Sequence, residues 1–98
     1  MTGIISRPGI ATITSVPASA SSVLILAANP VRRRFIVHND SAKTLRLAFG
    51  SAATATAFSV IVTSKSQYES PLDDYTGDIY GIWDNANAGD ARVTEISF

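Results

Sequence analysis

Along much of the chain apolar and polar side chains alternate every second residue, the pattern of strands with one buried face. The clearest stretch is Asn29 to Gly50, NPVRRRFIVHNDSAKTLRLAFG. Within it Phe35 and Val37 face one way and Arg34, Ile36 and His38 the other, and Leu45, Leu47 and Phe49 repeat the period. The link Asn39-Asp40-Ser41-Ala42-Lys43 is rich in residues that bond their own backbone. The two runs are therefore expected to fold back on each other as a half-buried hairpin through a polar turn.

The remaining runs follow the same rule. Ile10, Thr12, Thr14 and Val16 suit a short β segment, with Pro8-Gly9 before it and Pro17 after it. Residues 1–22 read as an N-terminal arm or first strand: they are too poor in large apolar side chains to pack alone, and an arm lying on a neighbouring subunit would bury them. Residues 23–98 read as a single β-sandwich domain. Val23-Leu24-Ile25-Leu26 has the length of a buried strand and stops at Asn29-Pro30. Phe58, Val60 and Val62 alternate with Ser59, Ile61 and Thr63, and Gln67-Tyr68-Glu69 is a brief extended piece. In Ile79 to Trp83, IYGIW, Gly81 marks a bulge or a close backbone approach. Val93, Glu95 and Ser97 alternate with Thr94, Ile96 and Phe98 in a last strand.

About seven or eight short strands at roughly 8–12-residue spacing, with no helix, predict an all-β antiparallel sandwich or jelly-roll. Its core is expected to draw on Phe35, Val37, Leu45, Leu47, Phe49, Val60, Val62, Ile79, Ile82 and Trp83.

Composition adds one point to that picture. An apolar fraction of 46% with 16% charged residues, in 98 residues, fits one folded domain. The abundance of Ala, Ser and Thr implies thin packing, which partner subunits would thicken. With no cysteine there is neither a disulfide framework nor a thiolate metal site. No basic N-terminal region leads into an unbroken apolar run, and no run approaches the ~20 residues that span a bilayer, so a soluble protein not exported by the usual route is expected.

The formal net charge is zero, yet residues 1–49 carry six Lys or Arg against one acid, and residues 50–98 carry two against seven. If the fold separates the two sets, one face is basic and another acidic; if strands of the halves interleave, the asymmetry cancels.

Candidate chemistry is sparse. His38 is the only histidine and lies two residues before Asp40, but no GxSxG elbow accompanies it, so no catalytic set is expected. Asp73, Asp74, Asp78, Asp84 and Asp90 offer oxygen ligands without the DxDxDG spacing or distal glutamate of a calcium loop, so no metal and no cofactor are expected. Arg32-Arg33-Arg34, with Lys43 and Arg46, is the one basic cluster. In an unbroken strand Arg32 and Arg34 share a face and Arg33 points opposite, too narrow a footprint for nucleic acid. Salt bridges to the acidic loops are expected instead.

Several pieces taken together, Asn29-Pro30 before the Arg-rich strand, Asn39-Asp40-Ser41, Tyr68-Glu69, and Tyr75-Thr76-Gly77 followed by Ile79 to Trp83, resemble small virion proteins of tailed bacteriophages, over roughly Val23 to Phe98. The resemblance implies a β-sandwich or jelly-roll module that decorates and cements the capsid, forms head fibres or sits on the tail. It further implies a structural role without catalysis, on the capsid exterior of a virion assembled in the host cytoplasm. The implied partners are further copies, as a dimer or trimer, and the major capsid protein, with neither nucleic acid nor membrane. On that reading the contacts fall on Ile4, Ile5 and Arg7 of the arm and on Arg32 and Arg33 of the basic strand. The alternative is a tail-associated or head-fibre module that recognises host-surface glycans through Tyr75, Tyr80 and the acidic loop.

Overall fold

The two-residue alternation becomes eight strands in the computed structural model, which describes residues 9–72 and 75–97. They are β1 (Ile10–Pro17), β2 (Val23–Leu26), β3 (Arg32–Ser41), β4 (Leu45–Phe49), β5 (Val60–Val62), β6 (Gln67–Glu69), β7 (Ile79–Trp83) and β8 (Gly89–Ser97). A first sheet has the order β1-β8-β3-β6 and a second the order β2-β7-β4-β5, and every pairing is antiparallel. The pairings nest: first strand with last, second with seventh, third with sixth, fourth with fifth. The all-β antiparallel sandwich expected from the pattern is what the chain forms.

Between the sheets lie Phe35, Val37, Leu45, Leu47, Val62, Ile79 and Trp83, joined by Ile25, Ala91 and Val93, with Phe49 and Val60 packed against them. Ile82, expected in this core, points the other way. Gly81 holds the inward position of β7, opposite Leu47 and Val23. A Cβ there would come within 2.9 Å of Ile25 and Leu45, so the glycine serves a close approach and the β4–β7 register runs through it without a bulge. At one end of the core Phe49 stacks on Tyr75 at 5.2 Å and meets Phe35 edge-on at 6.0 Å, and Tyr68 completes the cluster.

Two expectations for the central stretch need correction. β3 and β4 do not form a hairpin. β3 lies between β8 and β6, β4 lies between β7 and β5, and the link between them carries the chain from one sheet to the other. The two apolar faces meet across the core, a packing that satisfies the same alternation as pairing would. Nor is the arginine strand regular, because its pairing with β8 shifts by one residue between Arg32 and Arg34. This bulge at Arg33 reverses the phase, so Arg32 joins Phe35 and Val37 on the inner side.

Strands of the two halves interleave, and so do their charges. Arg32 pairs with Glu95, Arg34 with Glu69, Arg46 with Asp84, and Asp40 with both Lys65 and Arg92. Among the described residues these pairs set charges of one half of the sequence against those of the other, so the two sets are not kept on separate faces. β1 forms an edge of the first sheet, paired with β8 along its whole length. Residues 1–8, and with them the arm positions Ile4, Ile5 and Arg7, lie outside the described residues.

Candidate functional site

Two buried polar groups fix the ends of the sandwich. At one end the bulge turns Arg32 inward, where it is 3% exposed, with its guanidinium carbon 5.6 Å from the Phe35 ring centroid. Its Nε donates to Glu95 Oε2 at 2.8 Å, one terminal nitrogen to the carbonyls of Tyr75 (3.3 Å) and Gly77 (3.0 Å), and the other to that of Ala27 (2.7 Å). One side chain thus ties the ends of β3 and β8 to the loops before β3 and before β7. Arg32 is inside the subunit and offers no surface to a partner, contrary to the expectation that placed it at a contact. Arg33 sits half-buried at the bulge.

At the other end Asn39 is fully buried. Its amide donates to the carbonyls of Lys43 (2.7 Å) and Val62 (2.8 Å), and its oxygen accepts from Ser41 Oγ (2.6 Å) and Trp83 Nε1 (3.2 Å). Ser41 Oγ also lies 2.9 Å from the Lys43 carbonyl. The polar link between β3 and β4 is therefore drawn inward by its own side chains, which is why it crosses between sheets.

Asp40 points to the opposite side. It accepts from Lys65 Nζ at 2.8 Å and Arg92 Nε at 3.2 Å. The Lys65 hydrogen bond foremost, then that of Arg92, holds its carboxyl below the ordinary value of 3.8. A carboxylate whose pKa is lower folded than unfolded stabilises the fold above the ordinary value, and that contribution disappears as pH falls through the folded value. Urea midpoints of the native chain are accordingly expected to drop more steeply between about pH 5 and about pH 2 than those of Asp40→Asn. Equal slopes would mean that these surface pairs contribute nothing.

The outer faces of the two sheets differ. On the first, His38 stands between Arg92 and Gln67 in one cross-strand row, and Ile36 between Thr94 and Glu69 in the next, a mixed surface. On the second, the rows are Leu24–Tyr80–Ala48 and Ile82–Arg46–Ile61. Arg46 is their one charge, and it is bonded to Asp84 at 2.6 Å with its guanidinium 5.6 Å from the Phe58 ring. Ala48 (4% exposed) and Ala53 (2%) are buried apart from the main core, and Ala53 N–H donates to Ser22 Oγ, so the 50–59 loop folds across part of this face. The remainder is open: Leu24 is 46% exposed, Ile61 51% and Phe58 37%. The signal was in the sequence, because VLIL, VIV and IYGIW are apolar at outward positions as well as inward ones. Such runs belong to sheets covered on both faces.

The other residues singled out in the sequence are accounted for locally. Tyr75 is packed on Phe49 and its hydroxyl donates to the Asp78 carbonyl at 2.8 Å. Asp78 Oδ1 accepts from Ala28 N–H at 2.7 Å, Asp90 pairs with Arg92, and Trp83 is core. Asp73 and Asp74 lie outside the described residues. Among the described residues no group of three or more metal-ligating side chains converges, no pocket opens, and no helix is long and apolar enough to cross a membrane. No family model, no curated protein and no solved structure matches the chain.

Proposed function

We propose that this chain is a non-enzymatic structural protein of a bacteriophage virion, one that decorates and cements the capsid exterior through contacts with the major capsid protein and with its own copies. The observation that carries the reading is the second sheet's outer face, where Leu24, Tyr80, Ile82 and Ile61 stand in adjacent cross-strand rows with a single, already paired, charge. Apolar area of this kind on a small domain gains most from being covered by a partner. The thin, disulfide-free sandwich would gain stability in the same step. We read the nested strand order as a jelly-roll winding, an arrangement that recurs in viral capsid and lectin domains.

Mixing the protein with purified heads, before and after expansion, and counting bound copies tests the reading. Saturable binding to the capsid is expected, weakened at least about tenfold by Leu24→Asp with Ile61→Asp, a loss of about 1.4 kcal/mol or more. Absence of saturable binding would overturn it. The glycan-binding alternative retains Tyr80 as a half-exposed ring on the same face, while Tyr75 is occupied by Phe49. A glycan array that stays blank removes that reading.

A further inference from the structure

Sheet edges are where strands of another chain add, and proteins commonly blunt them with charge, proline, bulges or short length. Three of the four edges here follow that practice. β2 has four residues and an irregular register, β5 has three residues, and β6 has three, with Glu69 in it and Lys65 just before it. β1 follows it only at its last residue, Pro17: it is eight residues long, carries no charge, and leaves Ile10 60% and Ile13 73% exposed.

The register shows what β1 offers. Ala18 N–H donates to Gly89 O at 2.8 Å, continuing the β1–β8 register by one pair. Antiparallel ladders alternate bonded and non-bonded pairs, so Val16, Thr14, Thr12 and Ile10 direct their backbone groups to β8. Ala11, Ile13 and Ser15 direct theirs outward, and Pro17, with no N–H to give, occupies the next outward place.

We propose that two copies of the chain pair through β1, antiparallel, about a two-fold axis at Ile13, joining their first sheets into one continuous sheet. In this register Ile13 faces the second copy's Ile13, and Ala11 faces the second copy's Ser15. Every outward N–H of Ala11, Ile13 and Ser15 then meets an outward carbonyl of the same set. Shifting the axis to Thr14 places Ala11 opposite Pro17, and shifting it to Thr12 sends Ser15 beyond the strand to Gly9.

The side chains agree with the backbone. Ile13 meets Ile13 on one face, and on the other Ile10 meets Val16 and Thr12 meets Thr14. These are apolar and Thr–Thr pairs of the kind that stabilise a ladder, with no like charges opposed. The proposal deepens the assembly reading above and rests on it only in taking a copy of this chain as the partner.

Solution mass and single-cysteine cross-linking of the full chain test it without any capsid, so failure to bind heads and failure to pair are separate results. Light scattering between about 1 and about 100 µM is expected to give a concentration-dependent dimer. Ile13→Lys, which sets two ammonium groups against each other at an exposed position, is expected to raise the dissociation constant at least about tenfold with an unchanged circular dichroism spectrum. Because the native chain has no cysteine, Ile13→Cys supplies the only thiol. Its Cα would lie about 5.5 Å from its copy, within disulfide reach, so mild oxidation should cross-link it. Ala11→Cys would stand more than about 13 Å from its copy and should not cross-link. A monomer across the concentration range, a dimer indifferent to Ile13→Lys, or equal cross-linking of the two cysteine variants would each overturn the proposal.

Discussion

Arg32→Ala is expected to lower the unfolding free energy by about 3–5 kcal/mol, the usual cost of removing one partner from a buried ion pair. The substitution strands Glu95, whose side chain is 19% exposed, and leaves the carbonyls of Ala27, Tyr75 and Gly77 without their donor. It also empties the place beside Phe35. For a domain whose total stability is of order 5–15 kcal/mol, that is a large share. Urea denaturation followed by circular dichroism measures it. Adding Glu95→Gln to Arg32→Ala should recover part of the loss, because the stranded charge disappears with it. An Arg32→Ala unfolding free energy within about 1 kcal/mol of the native value would show that the arginine is not the clamp of this end.

Asn39→Leu, which keeps the branching of the side chain but sets bulkier methyl groups in a fully buried place, is expected to destabilise by at least about 3 kcal/mol. The loss comes from what the amide leaves behind: the Val62 and Lys43 carbonyls lose the Asn39 donor, Lys43 keeping only Ser41 Oγ, and the Trp83 indole N–H and the Ser41 hydroxyl lose the Asn39 oxygen as acceptor. Each buried orphan costs about 1–3 kcal/mol, and these share one site, so their costs do not simply add. Because Trp83 is the only tryptophan, the local change has its own readout. Its emission in the folded state should shift in Asn39→Leu and stay unchanged in Arg32→Ala, which acts at the far end of β3. An Asn39→Leu protein of native stability would mean that the link between the sheets is held by packing alone.

The sequence declares the strands more plainly than their neighbours. Phe35 with Val37 and Leu45 with Leu47 announce their buried faces by period alone, and all four are inside. The same period is satisfied whether two such runs pair edge to edge or meet face to face, which is why β3 and β4 looked like a hairpin. What separates the two outcomes is the destination of the Asn39 and Ser41 side chains, and their composition is that of any polar turn. Arg32 was illegible for a related reason: one extra residue in a strand reverses every face beyond it, and no residue type in Arg32-Arg33-Arg34 marks where the extra one falls. Ile82 was misplaced because Gly81, with no side chain to show, holds the inward position. The apolar outer face of the second sheet, by contrast, was written in VLIL, VIV and IYGIW. Alternation alone does not reveal its role, because a run that is apolar at every position does not say what covers its second side.

The nesting of first strand with last has a consequence for how the protein is made. β8 lies between β1 and β3, so until residues 89–97 have left the ribosome β1 has no neighbour in the first sheet and β3 has only the three-residue β6. A nascent chain at that stage holds the uncharged β1 bare on both sides, a species prone to aggregate with its like. Closing the sheet then requires joining strands far apart in sequence, Ile10–Pro17 and Gly89–Ser97, which places this fold among the slow, millisecond-to-second folders.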